Sequence, residues 1–430
     1  MALPTLPAYH GETKMFDHLM TPVQRSLRDE ARAFVKDTPR DLILDMDADK
    51  VKFPREWLRE AGKRNLLGVR HAAEWGGRGS DWVTSCAISE EIGILSYELA
   101  CVFGVGADLV CDAIVLHGTE AQKERYVKPL LAGEIFAAEC LTEPRGGSDF
   151  FGATSTAEDK GDHFLLNGQK RFIVGAEGAD YFLVYARTNP DESVSPRARI
   201  TCFIVDRGPG VEVKYQYGLM GCRGGGTGRL VFKDVKVPKE NVVGTVNGAY
   251  AVFTTMMIPE RLGTAAMTVG PARSALDIAT FYTSRRKAFG ETINQFQGVS
   301  FQVAEGTMLL DACRALVYST ARAVDDGVDP HRVRRMISET KKFVTESCQK
   351  VVHNSMQVAG GIGYTNVLPL ERIYRDIRLA SIWTGTNEVM ATIIAHEWYR
   401  EAAAARASRP GRDYVADAAE ADASEELHFG

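Results

Sequence analysis

The stretch from Arg375 to Met390, RDIRLASIWTGTNEVM, sets polar backbone beside a flat aromatic side chain. A helix rich in Arg and Ile runs into Ile382-Trp383 and stops at Thr384-Gly385-Thr386-Asn387. A new amphipathic helix then begins at Glu388-Val389-Met390. With Thr386 or Asn387 as N-cap, free N–H groups and the positive end of a helix dipole lie next to Trp383. Such a turn can hold an anionic or polarised group against a ring. A plain capped helix–turn–helix would show the same residues. A carboxylate stands out in Pro259-Glu260-Arg261-Leu262, within a long helical pattern. Pro259 lacks an N–H and crowds the Thr255 carbonyl, so a bend is expected just before Glu260. A bend there would aim Glu260 into a cavity; the alternative is a surface acid paired with Arg261 or Arg273.

The elements that must position these residues change texture twice along the chain. Residues 1–135 read as an all-helical domain. PVQRSLRDEARAFVKD puts Val23, Leu27, Phe34 and Val35 on one face after a Thr-Pro start. PREWLREAGKRNLLG ends in Gly68, which suits a helix C-cap, and TEAQKERYVKPLLAGE opens on a capping Thr. Residues 136–245 read as a small β-domain. Asn167-Gly168 is expected to close a type I′ hairpin between Phe164-Leu165-Leu166 and Lys170 to Val174. DYFLVYAR, ITCFIVD, VEVKYQY and GRLVFKDVKV supply at least four more strands. Residues 246–399 return to three- and four-residue spacing over roughly 249–284, 296–325, 330–359 and 368–398, a four-helix bundle. Residues 400–430 hold AAAAR and then acids without a base from Asp413 to Glu426, as in a fraying helix and an acidic, disordered tail.

With 430 residues, 45% apolar and 25% charged, the chain has the composition of a soluble globular enzyme with two or three domains. A net charge of −5 gives no reason to expect nucleic acid or an anionic membrane as partner. No unbroken run of 18 apolar residues is present, so no membrane-spanning helix is expected. The first fifteen residues carry one Lys, no Arg and two prolines, unlike a secretory signal or a mitochondrial presequence. Eight cysteines without a C-x-x-C read as reduced thiols, not a disulfide frame or metal site. A cytoplasmic protein is the expectation.

Six segments, in order, resemble the acyl-CoA dehydrogenases over roughly residues 20–398. They are Cys140-Leu141-Thr142-Glu143-Pro144-Arg145-Gly146-Gly147-Ser148-Asp149, Asn167-Gly168-Gln169-Lys170 with Phe172-Ile173, and Asp234-Val235-Lys236-Val237-Pro238. Arg286-Lys287-Ala288-Phe289-Gly290, Gln357-Val358-Ala359-Gly360-Gly361 and Thr384-Gly385-Thr386-Asn387-Glu388 follow. The resemblance implies an α+β fold of helical, β and four-helix-bundle domains, with FAD as cofactor. Cys140, Leu141, Thr142, Gly147, Ser148, Phe172, Val174, Trp383, Thr386 and Glu388 would meet FAD. Small residues at 146–148 can approach a pyrophosphate closely, although they also suit an ordinary turn. Arg286 and Phe289, with Gln297, Gln357, Gly360 and Gly361, would reach FAD of a neighbouring subunit in a homotetramer, a dimer of dimers. Arg286 could equally be a solvated helix end. Ser148, Arg261 and Gly385 would touch the acyl-CoA substrate.

Three positions depart from the family. Val174 stands where Thr or Ser usually bonds the flavin N5, and Phe172 where a Trp is usual. Thr384 replaces the usual catalytic Glu, and a threonine hydroxyl is too weak a base for an α-proton. A minority of the family, isovaleryl-CoA dehydrogenases among them, carries the base on the first bundle helix in an ERL-type sequence, which matches Glu260. Glu260 is then the base, and the Thr384 N–H meets the thioester oxygen. The implied reaction oxidises the α,β bond of a branched, cyclic or aryl-substituted acyl-CoA to a 2,3-enoyl-CoA, with electrons passing to electron-transfer flavoprotein. The departures keep open an oxidase, monooxygenase or desulfinase of the same fold. Glu139 reads either as a salt-bridged strand residue or as a second acid near the flavin. Arg145 is either solvated or meets a phosphate.

Overall fold

Apolar spacing of period 3.6 gives way to period 2 near residue 136 and returns near 249, and the computed structural model folds accordingly. It describes residues 16–406, 413–416 and 418; the first fifteen residues and most of the expected acidic tail lie outside them. The opening helix, Pro22–Asp37, starts on a capping box in which Thr21 and Gln24 satisfy each other's N–H groups. Its buried face is Leu27, Ala31 and Phe34; Val23, expected there, is 67% exposed. The helix Arg55–Lys63 ends sooner than expected. Asn65 takes the left-handed position at φ +55°, and Gly68 serves a later turn.

The helix Tyr97–His117 is long and apolar enough by length and composition to cross a bilayer, although no unbroken run of 18 apolar residues marks it in the sequence. Its mean hydropathy of 2.1 meets that test, yet 78% of it is buried inside the protein. It forms the wall between the N-terminal helices and the sheet, where an all-apolar helix is stable without lipid.

The β-domain is one eight-stranded sheet. Its strands are β1 (Ala137–Cys140), β2 (Thr156–Asp159), β3 (His163–Ile173), β4 (Tyr181–Arg187), β5 (Ile200–Asp206), β6 (Val211–Gln216), β7 (Gly228–Pro238) and β8 (Val242–Val243). They run in the order β6-β7-β3-β2-β4-β5-β8, with β1 parallel to β4. The expected hairpin at Asn167-Gly168 is absent, because β3 runs straight through it. The pair marks a bulge against β7 instead. Asn167 Oδ1 accepts the Asp234 N–H (2.8 Å), and Gly168 leaves the space that the Ser155 side chain occupies. The true turn lies between Asp159 and His163, joining β3 to β2, a strand that the sequence reading missed.

The bundle comprises Ala249–Thr283, Gln297–Asp325, Pro330–Ala359 and a fourth segment broken into Leu370–Ile377 and Asn387–Arg406. The first bundle helix runs unbroken through Pro259 and Pro271. It crosses the helix Trp82–Leu95 backbone to backbone at Gly93 and Gly270, where a Cβ on residue 270 would meet Glu90 O at 2.4 Å. One apolar cluster joins the N-terminal helices, one face of the sheet and the start of this helix. A second fills the bundle and a third fills the other face of the sheet.

Candidate active site

The loop after β1 is held by an ion pair buried in the sheet. Lys170 Nζ on β3 bonds Glu143 (2.9 Å), Tyr185 O (2.7 Å) and Leu141 O (3.3 Å). Glu143 also accepts from the Thr154 hydroxyl (2.7 Å) and the Ser155 N–H (3.1 Å). Although burial opposes it, the Lys170 ammonium and these donors hold the Glu143 carboxyl down to about 2. Burial pushes the Lys170 ammonium down while Glu143 pulls it up. This anchorage presents Leu141, Thr142, Gly146 and Gly147 at the edge of the sheet. Cys140 points its side chain into the β-domain core, so only its backbone faces this edge. Ser148 is exposed, and Arg145 pairs with Asp149.

Beyond this loop, Phe172 stands at φ +57° with its ring half exposed against Tyr217, and Val174 packs into the cluster between domains.

The turn between the last helices closes the opposite side. Thr386 is the N-cap, its hydroxyl accepting the Val389 N–H at 3.2 Å. Thr384 and Gly385 take left-handed φ of +55° and +80°. The shape is imposed from the third bundle helix: fully buried Lys341 donates to Gly385 O (2.8 Å) and Asn387 Oδ1 (2.9 Å). Trp383 Nε1 and Thr384 Oγ1 are buried without a hydrogen-bond partner. The Trp383 ring lies 5.7 Å from that of Tyr97. Glu388 is exposed on the first turn of the last helix.

Glu260 lies between these two walls. Burial pushes its carboxyl up to about 7, against the opposing pull of Arg261 and Lys341. It makes no ion pair among the described residues, and Arg273 bonds Glu90 instead (2.5 Å). Arg261 is buried beside Gly385, and burial lowers its guanidinium to about 10 while Glu260 opposes the fall. Lys341 falls to about 8 by burial, with Arg261 adding to the fall and Glu260 opposing it. Across from Glu260, Glu139 on β1 is raised well above the usual carboxylate range by burial first and by Glu260 second. The structure therefore brings together a carboxylate poised near neutrality, two cations and a turn with unsatisfied donors.

Arg286, Phe289, Gln297, Gln357, Gly360 and Gly361 stand apart from this centre. All six are exposed, and Phe289 is 97% exposed at the tip of a hairpin pairing Lys287–Ala288 with Glu291–Thr292. Arg286 thus sits on a hairpin just past the helix end, not on the helix itself. From Glu260 to the end of the first bundle helix at Thr283 is about 35 Å at 1.5 Å per residue. The sequence reading gave no role to Lys341, Lys170 or Tyr185. Lys341 was findable, because it falls on the buried stripe Ile337, Lys341, Val344, Cys348.

The family models for the N-terminal, middle and C-terminal domains of acyl-CoA dehydrogenase match residues 21–134, 138–235 and 247–398. The chain belongs to the acyl-CoA dehydrogenase family, flavin-dependent oxidoreductases acting on CH–CH bonds. It is 35% identical to the caffeyl-CoA reductase-Etf complex subunit CarC of Acetobacterium woodii, over 86% of this chain and 97% of that one. It is 33% identical to a 3-(aryl)acrylate reductase of Clostridium sporogenes, over 86% and 96% of the two chains. Among solved structures it superposes on butyryl-CoA dehydrogenase from Megasphaera elsdenii with a TM-score of 0.84, at 29% identity over 88% and 99% of the chains. The cofactor of the family is FAD, and the residues here fit it. Unpartnered Trp383 Nε1 and Thr384 Oγ1, the exposed Phe172 ring and the small residues at 146–147 offer a polar rim, an aromatic face and close backbone approach.

Proposed function

We propose that this protein oxidises the α,β bond of an acyl-CoA to the 2,3-enoyl-CoA, with Glu260 as the base. The observation that carries the reading is a carboxyl poised near pH 7 on the first bundle helix, beside a turn whose own side chain cannot take a proton. FAD, when bound, supplies the two-electron acceptor. Glu260 takes the α-proton, and the ionised half of its population at neutral pH does so. The Thr384 N–H stabilises the charge that grows on the thioester oxygen. Lys341 fixes the turn through the Gly385 carbonyl, so that donor is in place before reaction. Arg261 holds the substrate beside Gly385 and keeps Glu260 from rising further. The acyl group is branched, cyclic or aryl-substituted, a class that the aryl-acrylate relative's name also supports.

Electron-transfer flavoprotein is the partner, in keeping with the Etf complex of the A. woodii relative. The exposed group around Phe289 lies too far along the bundle from Glu260 to meet the same flavin face. Its role is to reach the FAD of a second subunit, which makes a dimer the smallest cofactor-binding unit and a dimer of dimers the assembly. A second reading runs the site in reverse, as a reductase of α,β-unsaturated acyl-CoAs. The protonated half of Glu260 would then donate to the α-carbon, and the two relatives named as reductases favour it.

The test is an anaerobic panel of acyl-CoAs mixed with the yellow enzyme, alongside enoyl-CoAs mixed with the dithionite-reduced enzyme. Bleaching of the visible flavin band by acyl-CoAs supports oxidation, and recovery of colour by enoyl-CoAs supports reduction. No response to any CoA ester would overturn both.

A further inference from the structure

Glu139 occupies a place where a carboxylate has no structural employment. Along β1, Ala138 and Cys140 face the interior of the β-domain, whereas Ala137 and Leu141 face the cluster between domains. By the two-residue alternation of a strand, Glu139 shares the second face. Its register partner on β4 is Leu183, and Tyr185 follows two residues on, on that same face. The surroundings are apolar: Phe150 packs edge-on against Tyr185 (5.2 Å between ring centroids) and stacks on Phe253 of the first bundle helix (4.4 Å).

The reading of Glu139 as a salt-bridged strand residue is corrected here. It makes no ion pair among the described residues, and the nearby Lys170 already spends its three protons on Leu141 O, Glu143 and Tyr185 O. Glu139 and the fully buried Tyr185 hydroxyl lie against each other, yet neither Glu139 Oε1 nor that hydroxyl completes a well-formed hydrogen bond. A carboxyl and a hydroxyl side by side in an apolar wall keep donor and acceptor capacity for a third polar group beyond any contact between themselves.

We infer that Glu139 and Tyr185 form a specificity site that hydrogen-bonds an uncharged hydroxyl or carbonyl on the acyl chain, close to the carbon pair served by Glu260. The inference rests on the acyl-CoA reading above. Burial and the neighbouring Glu260 charge favour the protonated form of Glu139, which presents a donor and an acceptor. The Tyr185 hydroxyl adds a second group that can do either. An acyl chain ending in a carboxylate would meet the ionised half of Glu260 and is disfavoured.

The experiment uses the FAD-loaded enzyme and matched probes. Pentanoyl-CoA is compared with 5-hydroxypentanoyl-CoA and 4-oxopentanoyl-CoA, and 3-phenylpropionyl-CoA with its 4-hydroxyphenyl counterpart, by anaerobic flavin bleaching. The expected result is a preference of about tenfold or more in kcat/KM for the polar member of at least one set, carried mainly by KM. Glu139→Leu and Tyr185→Phe should each bring that ratio to about one, while Glu139→Gln, which keeps a donor and an acceptor, retains most of it. Equal kcat/KM within every set, or a preference that survives in Glu139→Leu and Tyr185→Phe, would overturn the inference and leave the acyl-CoA reading standing. No bleaching by any probe would remove both.

Discussion

In the proposed reaction Glu260 takes its role from its neighbours' bulk. Burial raises its proton affinity, while Arg261 and Lys341 keep it from rising beyond about 7. The base works only when ionised, so the rate of flavin reduction by an acyl-CoA should fall about tenfold per pH unit below 7 and level off above. Stopped-flow bleaching between pH 5.5 and 9 checks this. Because Lys341 pulls the Glu260 value down, Lys341→Met should move that limb to higher pH. It should also loosen the turn that Lys341 holds through Gly385. Glu260 was singled out in the sequence because Pro259-Glu260-Arg261-Leu262 resembles a known motif. Glu139 was visible only as an oddity, since its consequence depends on which face of β1 it takes. Lys341 was missed because a lysine is read as solvated unless its helical stripe is counted.

Elements hold these residues at fixed points, and two of those points can be tested by breaking them. The Glu143–Lys170 pair ties the flavin-side loop to β3. Glu143→Gln leaves a buried ammonium without its counter-charge and should cost about 3–5 kcal/mol, read from denaturant unfolding at pH 7. Because Glu143 is held near 2 against an ordinary 4.5, its contribution is complete above pH 4.5 and is lost as pH falls toward 2. The variant and the natural protein should therefore converge in stability in acid. Gly270→Ala would drive a Cβ into Glu90 O and the Gly93 backbone, and should destabilise by about 1–3 kcal/mol. The strands β4 to β7 were legible from short strand-like runs set apart by Pro and Gly clusters. Asn167-Gly168 was misread because the same dipeptide suits a type I′ turn and a bulge, and only the position of Ser155 and Asp234 decides between them.

At the scale of the molecule, the order helices, sheet, bundle was legible because the hydrophobic period changes at both borders. The helix Tyr97–His117 is largely apolar because it is buried inside the protein, and short breaks in its apolar run keep it from reading as a membrane span in the sequence. The proposed subunit arrangement rests on resemblance alone, since exposed residues carry no periodic signal. It has a direct consequence. Phe289→Ala with Arg286→Glu should leave the single-chain fold intact by circular dichroism, yet yield protein that is smaller by light scattering and depleted of FAD. A variant that keeps both size and colour would show that the hairpin tip does not serve a neighbouring flavin.

The centre of the account is that the first bundle helix lends its carboxylate to a turn that has none. Its most direct test is single-turnover flavin reduction in Glu260→Gln, using the acyl-CoA that bleaches the natural enzyme fastest. The account predicts a variant that binds FAD normally and is slowed about 10²–10⁴-fold. Reduction within a fewfold of the natural rate would contradict it.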